Sequence, residues 1–182
     1  IEVIPNKQRN DIYACVLVGH EDDREQINKV FVNVFHPDGS KKYQMFAEKI
    51  QDETEIVNCL DNAEEAGLIT SSEFDDILDS ITKDNMTFMY KAYLPMLYYQ
   101  QSGDYSILAY GTNNNDRLSD PYDLEFTWVE GTYLELDFNK LKFGHIVPGQ
   151  WSNVIGDDDM TTSSKPTLHN QGNTDVIVGI EI

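Results

Sequence analysis

Carboxylates and amides carry most of the chemistry this chain could perform, and two stretches concentrate them. Asn113-Asn114-Asn115-Asp116-Arg117-Leu118-Ser119-Asp120-Pro121-Tyr122-Asp123 is a loop rich in oxygen donors, and Gly156-Asp157-Asp158-Asp159 is a turn with three adjacent carboxylates. Calcium takes about six to eight oxygens, drawn from side chains and carbonyls alike. Asp116, Asp120 and Asp123, and separately Asp157, Asp158 and Asp159, are therefore the candidate ligands for calcium. It is the one cofactor these residues point to. Asn and Asp are equally the ordinary residues of turns, so each stretch also reads as a plain connection.

A third segment imitates a calcium loop and fails the chemistry. Placing Gly67 at the sharp turn of an EF-hand puts Asn62, Glu64 and Ala66 at ligand positions. Ala66 offers no side-chain oxygen, and such loops need one there. His20, His36, His145 and His169 are scattered, without ligand spacing. No nucleophile elbow, phosphate loop or dinucleotide fingerprint is present. With 32 acidic residues, any pair chosen for glycoside hydrolysis is arbitrary. The expectation is a protein that is not an enzyme.

Cys15 and Cys59 lie outside any Cys-x-x-Cys pattern, which argues against a zinc knuckle. They make one disulfide if the chain is extracellular, and otherwise two buried free thiols. Tyr90, Tyr93, Tyr98, Tyr99, Tyr105 and Tyr110 crowd one region. Exposed, they would stack on sugar rings; buried, they fill a core. Asn85-Met86-Thr87 is the sole glycosylation sequon, with Asn85 as acceptor. A net charge of −19 repels phosphate backbones and argues against nucleic acid as a partner. No apolar run approaches the roughly 18 residues of a membrane span.

The elements that must position these residues alternate between two periods. Ile12–Val18 and Val30–Phe35 read as strands, with Val30, Val32 and Val34 on one face. Pro37-Asp38-Gly39-Ser40 reads as the turn of a hairpin that returns through Lys41–Phe46. Asp52 caps a helix carrying Ile56, Val57, Leu60 and Ala63, with Glu55 placed to complete a capping box and Gly67 at its end. A second helix starts at Ser71 or Ser72, with Phe74, Ile77, Leu78 and Ile81 on one stripe. A helical hairpin at about 51–83 thus interrupts the strands.

Met86–Tyr99 returns to strand character, with Pro95 pointing to an edge or a bulge. Gly103–Tyr110 follows, then Tyr122–Trp128, where apolar and polar residues alternate as in a half-buried strand. Gly131 marks a boundary. Beyond it Leu134–Phe138, Trp151–Ile155 and Asp175–Ile182 read as strands, and the last of these runs to the end of the sequence. The first residue is Ile1, which suits a processed chain or a trimmed fragment.

Gly103-Asp104-Tyr105-Ser106-Ile107-Leu108-Ala109-Tyr110, with its Gly-x-Tyr corner, resembles the penultimate strand of immunoglobulin-like and PKD-like modules. The tail is similar to a β-module of archaeal cell-surface proteins, especially those of methanogens. The residues that carry this likeness are Leu136-Asp137-Phe138, Phe143-Gly144, Val147-Pro148-Gly149, Gly156-Asp157, Lys165-Pro166-Thr167 and Asn170-Gln171-Gly172-Asn173. Their Pro-Gly and Asn-x-Gly-Asn rhythm also resembles TasA and camelysin-type fibre subunits.

The resemblance implies a mainly β protein. An immunoglobulin-like β-sandwich with an inserted helical hairpin would span residues 1–130, and a second small β-sandwich-like module, open at an edge, residues 131–182. It implies an extracellular, cell-surface structural or adhesive protein, extending to a filament or surface-layer subunit assembled by β-strand complementation. Its partners would be other copies of itself or other surface proteins. The alternative from another class is a calcium-dependent or carbohydrate-binding β-sandwich module.

Overall fold

The computed structural model describes residues 9–20, 24–83, 87–144 and 147–179. The protein is mainly β, with several antiparallel sheets and two helices. It divides into two compact units. One comprises Asp11–Met96 and Asp104–Thr127; the described residues of the other are 9–10, 97–103, 128–144 and 147–179.

In the first unit a four-stranded sheet runs in the order β3-β2-β6-β7, built from β3 (Lys41–Phe46), β2 (Ile27–Phe35), β6 (Gly103–Asn113) and β7 (Tyr122–Trp128). The hairpin between β2 and β3 forms where the turn residues demand it. Gly39 takes φ 80°, its amide donates to the His36 carbonyl at 2.8 Å, and the His36 amide donates to the Ser40 carbonyl at 2.8 Å. Val32 then opposes Met45 on β3 and Ala109 on β6. Val30, Val32 and Val34 are all buried, as period-2 alternation requires, beside Tyr105, Ile107 and Ala109 of β6.

A three-stranded sheet of order β1-β5-β4 covers that face, built from β1 (Arg9–Gly19), β5 (Thr87–Leu97) and β4 (Glu48–Lys49). The Tyr43 hydroxyl of β3 donates to the Pro95 carbonyl of β5 at 3.1 Å, linking the two sheets. Phe88, Tyr90, Ala92, Leu94 and Met96 are buried on alternate positions of β5. β5 is the central strand of its sheet, so Pro95 does not lie on an edge strand. Its missing donor is tolerated there because β4 is short and faces only Tyr90 and Lys91.

The other face of this sheet carries α1 (Glu53–Glu65) and α2 (Ser71–Thr82). Met89 of β5 packs with Ile50, Ile56, Cys59, Leu60 and Ile81, and with the half-buried Phe74, Ile77 and Leu78. Asp52 caps α1 by accepting from the Thr54 amide at 2.8 Å. The reciprocal box belongs to α2, which starts at Ser71 as expected and is capped by Thr70, with Glu73 bonded back to it. Gly67, at φ 69°, ends α1: its amide donates to Glu64 and the Leu68 amide to Ala63. These paired bonds form a Schellman close that only a left-handed residue completes readily.

Cys15 of β1 and Cys59 of α1 are joined by a disulfide across 44 residues, with their Cα atoms 6.1 Å apart. The bond ties the helical hairpin to the sheet beneath it.

In the second unit β8 (Leu134–Leu136) and β9 (Leu168–Asn170) make a two-stranded antiparallel sheet. Beyond these two strands the described residues of this unit form no further strand of their own. Trp151–Ile155 and residues 175–179 have strand composition but join no sheet among the described residues. Alternation supplies a face; a strand also needs a partner for its backbone groups, and none is in place.

Candidate functional site: an open sheet in the C-terminal unit

The second unit is held by polar contacts, and the Asn170-Gln171-Gly172-Asn173 segment supplies a dense group of them. Asn173 accepts from the Gly131 amide through its Oδ1 at 2.6 Å and donates its Nδ2 to the Val129 carbonyl at 3.0 Å. The Asn173 amide donates to the Gly131 carbonyl at 3.0 Å, and the Gln171 amide to the Tyr133 carbonyl at 2.7 Å. Asn170 holds the turn itself, accepting from the Gly172 amide at 2.9 Å and donating to the Thr174 carbonyl at 2.7 Å. Gly172 is required for this fit, since a Cβ there would collide with the Gly131 carbonyl and the Tyr133 amide. The Gly/Asn rhythm of the sequence is thus a clamp that closes the two ends of the unit on each other.

Outside the clamp the unit bares apolar side chains. Trp151 is 98% exposed, Ile155 78% and Ile177 99%, and Leu134 and Leu136 of β8 are also exposed. Among the described residues β8 and β9 pair with each other and with no further strand. Residues 175–179, Asp-Val-Ile-Val-Gly, lie in the same unit without a sheet.

The unit also contains a cavity of about 760 Å³ beside β8. Asp137, Phe138, Lys140, Lys142, Ser163 and Ser164 are among the residues that line it. Asp137 Oδ1 accepts from the Thr167 amide at 2.8 Å, while its Oδ2 is buried and takes no hydrogen bond. The only sequence signal for this cavity was Lys140-Leu141-Lys142, two cations close together in a strongly acidic chain.

The acidic clusters do not converge. Among the described residues no group of three or more His, Cys, Asp or Glu side chains is placed to hold a metal ion. The 113–123 stretch is a closed turn. Asn113 Oδ1 accepts from the Asn115 and Arg117 amides at 3.0 Å each, and Asp116 adopts φ 58°. Asp116, Asp120 and Asp123 all stand exposed along it. In the second cluster Asp157 pairs with Lys165 at 3.5 Å, and Asp158 sits at φ 62°. Asp159 accepts from the Thr161 amide and hydroxyl at 2.9 and 2.7 Å. Those Thr161 hydrogen bonds hold its carboxyl below the usual carboxylate range. In the second cluster the Asp157 and Asp159 carboxylates thus serve the turn they sit in, while the first turn is held by Asn113.

The tyrosines divide. Tyr90 and Tyr105 are buried in the first unit, with Tyr105 stacked on Phe126 at 5.3 Å. Tyr110 stacks on Phe31 at 5.1 Å, while Tyr93 and Tyr99 are exposed. No single sugar platform gathers them. Asn85 and His145 lie outside the described residues. Among the described residues no helix is long and apolar enough to cross a membrane. Set against protein-family models, curated proteins and solved structures, the chain matches none, and its functional reading rests on this geometry.

Proposed function

We propose that this chain is a non-enzymatic, extracellular structural or adhesive protein of a cell surface, assembled into a filament or layer by β-strand complementation. In this reading the first unit is an immunoglobulin-like sandwich with a helical insertion. The observation that carries it is the C-terminal unit, where among the described residues the sheet has two strands and the apolar segment Val176-Ile177-Val178 joins no sheet. An isolated two-stranded sheet is marginal in water, and adding a strand stabilises it. A neighbour's 175–179 segment laid on the edge of β8 or β9 would satisfy that edge and cover apolar side chains. The partners are then other copies of this chain or other surface proteins presenting a like segment. The Cys15–Cys59 disulfide supports an oxidising compartment. The charge of −19 keeps exposed apolar surface from associating indiscriminately.

Light scattering across a concentration series and negative-stain microscopy test the assembly. The expected result is mass growing with concentration, and loss of that growth in Ile177→Asp. A strict monomer at about millimolar concentration, where even weak association of roughly 4 kcal/mol would register, overturns it.

A further inference from the structure

The outer face of the four-stranded sheet, turned away from the core between the sheets, carries an apolar strip between two edges of opposite charge. Phe31 of β2 pairs with Phe46 of β3 on one side and with Tyr110 of β6 on the other. Its ring lies 4.9 Å from that of Phe46 and 5.1 Å from that of Tyr110, so the three side chains share one face. Alternation sets that face opposite the buried Val30, Val32 and Val34, and Phe46 is 64% exposed on it. Asn33 and Gln44 are the next outward pair, and the Gln44 side-chain amide donates to the Tyr110 hydroxyl at 2.9 Å. At the β3 edge stands Lys41, whose ammonium donates to the Gln44 side chain at 3.4 Å. The β7 edge is acidic. There the Thr127 hydroxyl donates to Asp104 of β6 at 2.6 Å, and Asp123 and Glu125 alternate with the core-facing Phe126. Counting along the two strands from that bond sets Glu125 beside Ser106. Ser106 pairs with Phe35, and Phe35 with Lys41. Lys41 and Glu125 thus stand at one level on opposite edges of the face, and both are exposed.

We infer that this face is a dimer interface, occupied by a second copy of the chain related by a two-fold axis parallel to the strands. A two-fold interface must be self-complementary. Turning the sheet over about its strand direction exchanges the two edges and keeps the level, so Lys41 of each copy meets Glu125 of the other. The aromatic strip meets its own image at the centre, where apolar area leaves water. A two-fold axis across the strands would instead lay β7 on β7, and the carboxylates of the two copies would oppose it. Four strands about 4.8 Å apart and roughly six residues long present a face on the order of 400 Å². That is less than the roughly 800 Å² per partner of a standard interface, so the dimer is weak and fills at high local concentration. The interface lies within the first unit and does not rest on strand complementation in the second.

Sedimentation velocity of the full chain tests the interface, at about 0.15 M salt so that only closely facing charges act. The parent for this series is Ile177→Asp, which silences the strand complementation proposed above. From about 10 µM to about 1 mM it is expected to pass from monomer to dimer. Adding Lys41→Glu alone, or Glu125→Lys alone, weakens the dimer tenfold or more, because like charges then face each other twice. Mixing these two variants in equal amounts restores a dimer, since every facing pair is again of opposite sign. Both positions are exposed, so an unchanged melting temperature reports intact folding. A monomer throughout, single variants that dimerise like the parent, or a mixture no more dimeric than its components each overturns the inference. The wild-type chain run alongside reports the other reading. Growth beyond two copies that Ile177→Asp removes belongs to strand complementation, and its absence leaves the dimer standing.

Discussion

Leu94 and Ile177 are residues of the same strand-forming kind, yet Leu94 is 2% exposed between two sheets and Ile177 is 99% exposed. Their surroundings differ just as much. Around Leu94 the first unit stacks a four-stranded sheet, a three-stranded sheet and a helical pair, cross-linked by a disulfide. Around Ile177 the second unit has two three-residue strands and a clamp of asparagine hydrogen bonds. Apolar burial scales with the area removed from water, at roughly 25 cal/mol per Å². Exchanging water hydrogen bonds for internal ones contributes only about 1 kcal/mol each. The first unit is thus a self-sufficient scaffold, while the second keeps its apolar surface in reserve. Within the proposed function that reserve drives assembly, and the scaffold keeps each copy folded before a neighbour arrives.

The largest test of this contrast is the disulfide. Cys15 and Cys59 enclose 44 residues, a span whose cross-link stabilises by about 4 kcal/mol. Cys59→Ser removes that from the first unit alone. Urea unfolding followed by backbone exchange at the buried β5 amides is expected to shift to lower denaturant by this amount. Backbone exchange at the Gly131–Asn173 clamp stays as it was. If clamp and scaffold lose protection together, the two units do not differ in the way described.

A matched pair of truncations sharpens the comparison. Leu94→Ala opens a hole between the sheets and is expected to cost about 3 kcal/mol in chemical denaturation. Ile177→Ser touches a side chain that solvent already surrounds, so the stability of the monomer moves by less than about 0.5 kcal/mol. Its effect appears in light scattering, as assembly shifted to higher concentration. A large loss of monomer stability from Ile177→Ser would mean that the side chain is covered within its own copy.

What could be read from the residues alone follows the same division. Val30, Val32 and Val34, the Pro37–Ser40 turn and the helical stripes were legible because each is a local pattern packed against a complete core. Thr70 was overlooked as the cap of α2, although Glu73 three residues on was its signal. Trp151–Ile155 alternates like a strand and forms none among the described residues, because alternation reports a face and not a partner. The choice between a disulfide and two free thiols depends on a 6.1 Å approach that no spacing encodes. The cavity beside β8 draws on residues 136–142, 154 and 163–166, which meet only through the fold. The acidic stretches were conspicuous by composition, yet among the described residues their carboxylates do not converge.

The smallest expected effect concerns a charge inside the better-packed unit. The β2–β3 register shifts after Val34, so that Val34 faces Tyr43 and Phe35 faces Lys41, leaving Lys42 as the extra residue. Its ammonium is buried without a hydrogen bond, 5.3 Å from the Tyr43 ring centroid and 5.2 Å from that of Tyr105. Burial pushes its pKa down from 10.5 to about 8. The unfolded chain, with this lysine titrating near 10.5, binds more protons than the native state between those values. Raising the pH through that window therefore relieves the native state, and the contribution of Lys42 to stability rises with pH. Burial also pushes the Tyr90 and Tyr105 hydroxyls up, so their opposing effect begins only near pH 10. Between pH 8 and 10 the melting temperature of the native protein is expected to gain on that of Lys42→Met by a few °C at most, since a single group titrates. Taking the difference between the two proteins cancels the general repulsion of an increasingly anionic chain. A difference that stays flat from pH 7 to 10 would show Lys42 to be solvated, and the packing of the first unit looser at its β3 edge than at its centre.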